Sequence, residues 1–130
     1  MDGRPSDGNR PSGNNLIDLF AYLIRKYGRM DTSEYARIMQ LKTSELRGAI
    51  LAIGGMSAME WRNRYLLLEA QELMERTDMS ITEIAAKLGF SQPSVFSKFF
   101  RTLTKSQPWE WRIEKKKPGS NRKRTYHCYE

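Results

Sequence analysis

The chain repeats itself. Asp31-x-x-Glu34-x-Ala36-x-x-Met39-x-Leu41 matches Ser80-x-x-Glu83-x-Ala85-x-x-Leu88-x-Phe90 at an offset of 49 residues. Downstream the offset becomes 50: Leu46 matches Phe96, Ile50 matches Phe100, and Glu60-Trp61-Arg62 matches Glu110-Trp111-Arg112. The extra residue falls in the turn after Phe90. Such self-similarity means two copies of one supersecondary unit. Each copy has a capping-box pattern, a small alanine, a sharp turn and a second run with apolar residues four apart, which is the pattern of a helix-turn-helix. The alanine is needed because helices that cross steeply at short range leave room only for a small side chain. Leu41 and Phe90 would plug the corner, and Gly89 suits a left-handed turn; Gln40 stands at the same place in the first copy.

Helical periodicity runs through everything between the two ends, and no β-branched run alternates with period two, so the chain is expected to be all-α with about seven helices. They are expected from about Asn15 to Tyr27, from Asp31, from Thr43 to Ile53, from Ala58 to Thr77, from Ser80, from Gln92 to Leu103 and from Pro108. The polar stretch 1–15 is expected to be a disordered lead or a linker, and 16–114 the folded domain. Within it the first unit covers 31–55, the linking helix 58–77 and the second unit 80–105. The basic stretch 115–130 is expected to be a disordered tail.

Composition narrows the function classes. At 130 residues and 39% hydrophobic, one compact domain fits and two full-size domains do not. No window approaches the ~18–20 apolar residues that span a bilayer, so no membrane partner is expected. The first fifteen residues carry no apolar signal-peptide core. One cysteine and one histidine, Cys128 and His127, are too few for a disulfide framework or a Cys/His zinc site, and no metal or cofactor is expected. The setting is expected to be reducing and cytoplasmic. No nucleophile motif or phosphate-cradling glycine loop occurs, so catalysis is not expected. The net charge of +7 suggests a polyanionic partner, nucleic acid first. Yet it sits mainly at the end: residues 112–130 hold seven basic and two acidic groups, whereas 16–111 hold 13 basic and 11 acidic. The tail should attract phosphate without regard to sequence.

The linking helix decides more than the charge does. A helix of ~20 residues is ~30 Å long, close to the ~34–36 Å between successive major-groove faces along one side of B-DNA. Two reading helices held that far apart can face adjacent grooves of one duplex from a single monomer.

The stretch from about Leu16 to Arg112 resembles the AraC/XylS-type DNA-binding domain. The likeness is carried by Ser80-Ile81-Thr82-Glu83-Ile84-Ala85-Ala86-Lys87-Leu88-Gly89-Phe90, then by Ser94-Val95-Phe96-Ser97-Lys98-Phe99-Phe100-Arg101, then by Pro108 and Arg112. It implies seven helices, two homeodomain-like helix-turn-helix units and sequence-specific binding to double-stranded promoter DNA. It also implies activation through RNA polymerase, with the helices around 43–53 and 92–103 in the grooves. Two positions depart from the family pattern: Leu66 replaces its usual arginine, and Lys105 its usual glycine at the end of the second reading helix. The fragment is expected to be monomeric, with dimerisation left to a domain outside it.

In the first reading helix Leu46, Ile50 and Ile53 are expected to face the core. Thr43, Ser44, Arg47 and Gly48 then face outward. Arg47 suits guanine O6 and N7, Ser44 is a second base-reading candidate, and Lys42 and Thr43 suit phosphate. Gly48 either allows close backbone approach to DNA or is a tolerated weak helix residue. In the second reading helix Gln92 suits adenine, Pro93 a thymine methyl and Lys98 guanine, with Ser94 also at the base edges. Ser91, Ser97 and Arg101 suit phosphate. Trp61 and Trp111 are expected in the core, and Met30, Met39, Met56, Met59, Met74 and Met79 as gap fillers. Glu69, Glu72 and Glu75 form an acidic face on the linking helix, directed away from DNA. The competing function is a helical protein-interaction module with decayed or non-specific DNA binding, motivated by Gly48 and the sparse first reading helix.

Overall fold

The computed structural model of the protein describes residues 13–116. Among these residues there are seven helices: α1 (Gly13–Tyr27), α2 (Thr32–Ile38), α3 (Thr43–Gly54), α4 (Ala58–Arg76), α5 (Ile81–Lys87), α6 (Pro93–Thr104) and α7 (Pro108–Lys116). Among the described residues there is no strand. The polar lead expected over 1–15 lies largely outside the described residues, but α1 already begins at Gly13. The basic tail lies outside them from residue 117. Its first two lysines, however, belong to the last turn of α7. Lys115 sits over the Trp111 ring at 5.6 Å, and the Lys116 ammonium donates to the Thr77 carbonyl at 3.2 Å.

The two repeats fold as two units around one continuous core. Leu16, Phe20 and Ile24 recur at i, i+4 and i+8 on α1 and are buried with Leu66, Leu67, Ala70 and Met74 of α4. Leu66, where the resemblance leads one to expect an arginine, is fully buried and continues this apolar stripe. Tyr35, Ala36, Leu46 and Ile50 fill the first unit; Ile84, Ala85, Phe96, Phe100 and Trp111 fill the second. Ala36 and Ala85 are both about 1% exposed, as steep helix crossings require.

Both turns close by the same pair of bonds. Leu41 N–H donates to the Ala36 carbonyl at 2.9 Å and Gln40 N–H to that of Arg37 at 3.1 Å. In the second copy Phe90 N–H donates to Ala85 at 3.0 Å and Gly89 N–H to Ala86 at 3.1 Å. This is a Schellman C-cap, which needs a left-handed residue after the helix end. Gly89 supplies it at φ 88°, and Gln40 is forced into it at φ 62°. The ends of α3 and α6 repeat the asymmetry: Gly55 caps α3 at φ 78°, and Lys105 caps α6 at φ 69°.

Three expectations are corrected. The capping box at Asp31 and Glu34 does not form: Asp31 makes no side-chain cap bond, and Glu34 pairs with Arg37 at 2.7 Å instead. The box at Ser80 and Glu83 does form, and Ser57 with Glu60 makes another. Ile53 does not face the core but is 46% exposed, whereas its counterpart Leu103 is buried. Periodicity defines a face, not how far along a helix the core reaches. At this end of α3 Trp61 packs on Gly54, where a Cβ would lie 2.2 Å from the indole Nε1. Met59 fills no gap; it is 58% exposed on the first turn of α4. Trp111 is buried, while Trp61 is half-buried and stacks on Tyr65 at 5.5 Å.

Candidate nucleic-acid interface

α3 and α6 are the second helices of the two units, and each turns one side outward. On α3 the core-facing pair is Leu46 and Ile50, so Ser44, Arg47, Gly48 and Leu51 form the exposed stripe. Lys42 is the exposed N-cap residue, and its backbone N–H donates to the Glu45 carboxylate at 2.8 Å. Its ammonium has no lone pair to cap the helix, so it is left to solvent. Thr43 is half-buried. A Cβ at Gly48 would meet nothing within 4 Å, so packing inside the chain does not require a glycine there.

α6 starts at Pro93, with Gln92 as an N-cap that makes no side-chain cap bond. The Gln92 amide oxygen instead accepts from the Ser94 hydroxyl at 3.3 Å. Ser91, Gln92, Pro93 and Ser94 are all exposed at this end. Ser94, Lys98 and Arg101 line up along one exposed side at i, i+4 and i+7, and Ser97 is half-buried beside them. Among the described residues no ion pair or side-chain hydrogen bond holds Arg47, Lys98 or Arg101. Free cations on an exposed helix face can meet phosphate or base edges at little cost in broken contacts.

The two helices present different chemistry at matching places. Ser44 corresponds to Ser94, Arg47 to Ser97, Gly48 to Lys98 and Leu51 to Arg101. The cation has thus moved by one position between copies, and α6 carries a second one where α3 exposes a leucine. The repeat itself holds this signal, once the offset of 50 is applied residue by residue. Beside Lys98 an open, mainly apolar groove of about 290 Å³ is lined by Asn63, Val95, Phe99, Thr102 and Leu103. Asn63 and Thr102 border this exposed side of α6 without any sequence pattern to announce them.

Each unit is clamped to α4 or α7 by an arginine. Arg62 donates to the Met30 carbonyl at 2.9 Å. Arg112 donates to the carbonyls of Met74 at 3.0 Å, Met79 at 2.5 Å and Thr77 at 2.7 Å. Met30 and Met79 are themselves repeat partners, each standing just before the first helix of its unit. Burial lowers the Arg62 guanidinium from its ordinary value, and the neighbouring Arg29 charge adds to this.

The architecture is that of a tandem helix-turn-helix protein, with two outward second helices on one connecting helix. A family model described as a helix-turn-helix domain matches residues 35–113. The chain belongs to that family, the AraC-type helix-turn-helix DNA-binding domains of transcriptional regulators. It is 27% identical over 114 residues to the HTH-type transcriptional activator RhaR of Cronobacter sakazakii, covering 84% of this chain and 39% of RhaR. The chain thus spans well under half the length of the curated relatives it matches. The fold is shared with the DNA-binding domain of AdpA, solved in complex with a target DNA, at a TM-score of 0.70 and 22% identity, covering 81% of this chain and 97% of that one. It is also shared with an AraC-type regulator from Chromobacterium violaceum at a TM-score of 0.68 and 23% identity, covering 88% and 100% of the two chains.

Proposed function

We propose that the domain binds promoter DNA sequence-specifically as a monomer, with α3 and α6 in adjacent major grooves of one duplex. The observation that carries this is the pairing of two outward second helices on one 19-residue helix, α4, about 28 Å long. That length approaches the ~34–36 Å groove repeat. In this arrangement Arg47 and Lys98 read guanine, Gln92 reads adenine, and Ser44, Pro93 and Ser94 complete the base contacts. Lys42, Thr43, Ser91, Ser97 and Arg101 hold phosphates and set the register. The protein works in the cytoplasm and activates transcription by touching RNA polymerase. Glu69, Glu72 and Glu75 on α4 are the surface offered to polymerase or to a neighbouring regulator domain. No helix among the described residues is long and apolar enough to cross a membrane.

A second function draws on one observation. Leu51 and Ile53 on α3 are 57% and 46% exposed beside Gly48, an apolar end more suited to a protein partner than to phosphate. Salt titration against a promoter-fragment library separates the two. Specific DNA reading predicts a steep salt slope and strong preference for some fragments over random duplex. Equal, weak binding to all fragments favours the interaction module.

A further inference from the structure

The loop after α1 ties the two units together at a second point, in addition to α4 itself. Arg29 N–H donates to the Leu88 carbonyl at 2.8 Å, joining the loop directly to the turn of the second unit. The two backbones are too close for side chains on either side. A Cβ on Gly28 would lie 2.8 Å from the Leu88 oxygen, and one on Gly89 would lie 2.8 Å from the Arg29 nitrogen. The Arg29 guanidinium also covers the Phe90 ring at 5.2 Å. On its other side the same loop is held by the first unit and by the start of α4. The buried Tyr35 hydroxyl donates to the Gly28 carbonyl at 2.5 Å and accepts from Met30 N–H at 3.1 Å, while Arg62 holds the Met30 carbonyl.

α4 and the core packed along it set the separation of the two units, while the angle between them also depends on contacts away from that axis. A second attachment closes the frame and sets the angle as well. We propose that the Gly28–Met30 loop, seated on Leu88–Phe90, locks the two reading helices at one relative angle. Arg29 and Gly89 are thereby positioning residues for the spacing of the two DNA segments the protein accepts. The spacing half of this rests on the proposed DNA reading; the lock itself does not. Gly89 therefore does two jobs, since its turn needs a left-handed residue and its missing Cβ admits the loop.

The lock is tested on three variants of the full chain. Gly89→Ala breaks the contact, and Arg29→Ala removes the ring cover while leaving the turn glycine and the fold in place. Gly55→Ala is the matched control: it is also left-handed, at φ 78°, but a Cβ there meets nothing within 4 Å. Spin labels at Ala52→Cys on α3 and Thr82→Cys on α5, in a Cys128→Ser background, report the distance between units without DNA. A narrow distribution is expected for the parent and for Gly55→Ala, a broad one for Gly89→Ala, and a lesser broadening for Arg29→Ala, whose backbone N–H still reaches Leu88. Equally narrow distributions in all four proteins overturn the lock. Duplexes selected by the parent are then lengthened by one base pair between the two contacted segments. This turns one segment about 35° around the helix relative to the other. The parent and Gly55→Ala should lose about tenfold in affinity or more, and the two lock variants markedly less. If the variants keep the parent's full loss, the lock does not set spacing. If the parent selects no duplex, the DNA-binding proposal and the spacing role fall together, while the label distances still decide the lock.

Discussion

Arg62 and Arg112 make the same bond in the two units, each donating to the carbonyl of the methionine just before its unit's first helix, Met30 and Met79. They differ in what else they hold: Arg62 gives its remaining donors to the side-chain oxygen of its own neighbour Asn63, at 3.2 and 3.1 Å, which ties no other segment. Arg112 also takes the carbonyls of Met74 and Thr77 and so caps the end of α4 and the start of the second unit at once. Hydrogen bonds from charged donors are worth about 1.5–3 kcal/mol each, though not additively. Arg112→Ala should cost about 3 kcal/mol of unfolding free energy and Arg62→Ala about 1.5 kcal/mol, read by urea denaturation. Equal losses would mean that the bonds of Arg112 to Met74 and Thr77 add no more than those of Arg62 to Asn63.

Gln40 and Lys105 hold left-handed conformations where the repeat partner has glycine. An L-residue pays roughly 1–2 kcal/mol there. Gln40→Gly and Lys105→Gly should each raise stability by about 1 kcal/mol. Calorimetry showing no rise in Tm for either would show that the side chains return what the backbone loses.

Gly48 lies mid-helix with open space where its Cβ would be. Gly48→Ala should therefore stabilise the domain by about 1 kcal/mol. The same protein tells what the glycine is for. A fall in specific DNA affinity alongside the gain in Tm identifies close backbone approach to DNA, and unchanged affinity identifies a tolerated weak residue.

Tyr35 is buried, and burial raises its phenol above the ordinary value of about 10, outweighing the bond from Met30. The neutral hydroxyl donates to Gly28. Because the folded value is the higher one, the unfolded chain loses its proton first. The stability contributed by this group is thus complete below about pH 10 and declines as pH rises beyond it. Stability measured from pH 8 to 11 should fall at the alkaline end in the parent. Tyr35→Phe should be less stable at pH 8 by about 1 kcal/mol and lose less above pH 10. Parallel curves for the two proteins would remove Tyr35 as the cause.

Lys98 and Arg101 share one exposed side of α6 but are assigned different work. Lys98→Ala should cost about 1–3 kcal/mol of specific affinity and relax preference at one base position. Arg101→Ala should weaken binding to all duplexes alike and lower the salt slope by about 1. Arg47→Ala should behave like Lys98→Ala at a position in the other groove. Competition binding against single-base variants of a selected site reads all three, and unchanged preference in both Lys98→Ala and Arg47→Ala would displace the reading face.

The sequence by itself determined the seven helices, the two units and the core alanines. Local signals suffice for these: apolar residues at helical spacing, Ser80 with Glu83 at a helix start, Gly89 after a helix end, and Pro108 at another start. The outward stripe with Ser44, Arg47, Ser94 and Lys98 was legible for the same reason, since the core-facing residues leave only one side free. Where the prediction failed, neighbours decided. Arg37 captured the Glu34 carboxylate, and the core stopped short of Ile53. Only the tertiary structure assigned Arg62 and Arg112 their carbonyls and set Gly28 against Leu88 some sixty residues away. Those contacts run to backbone atoms, which every residue carries alike. A pattern of side chains has no means of naming its partner when the partner is a peptide group.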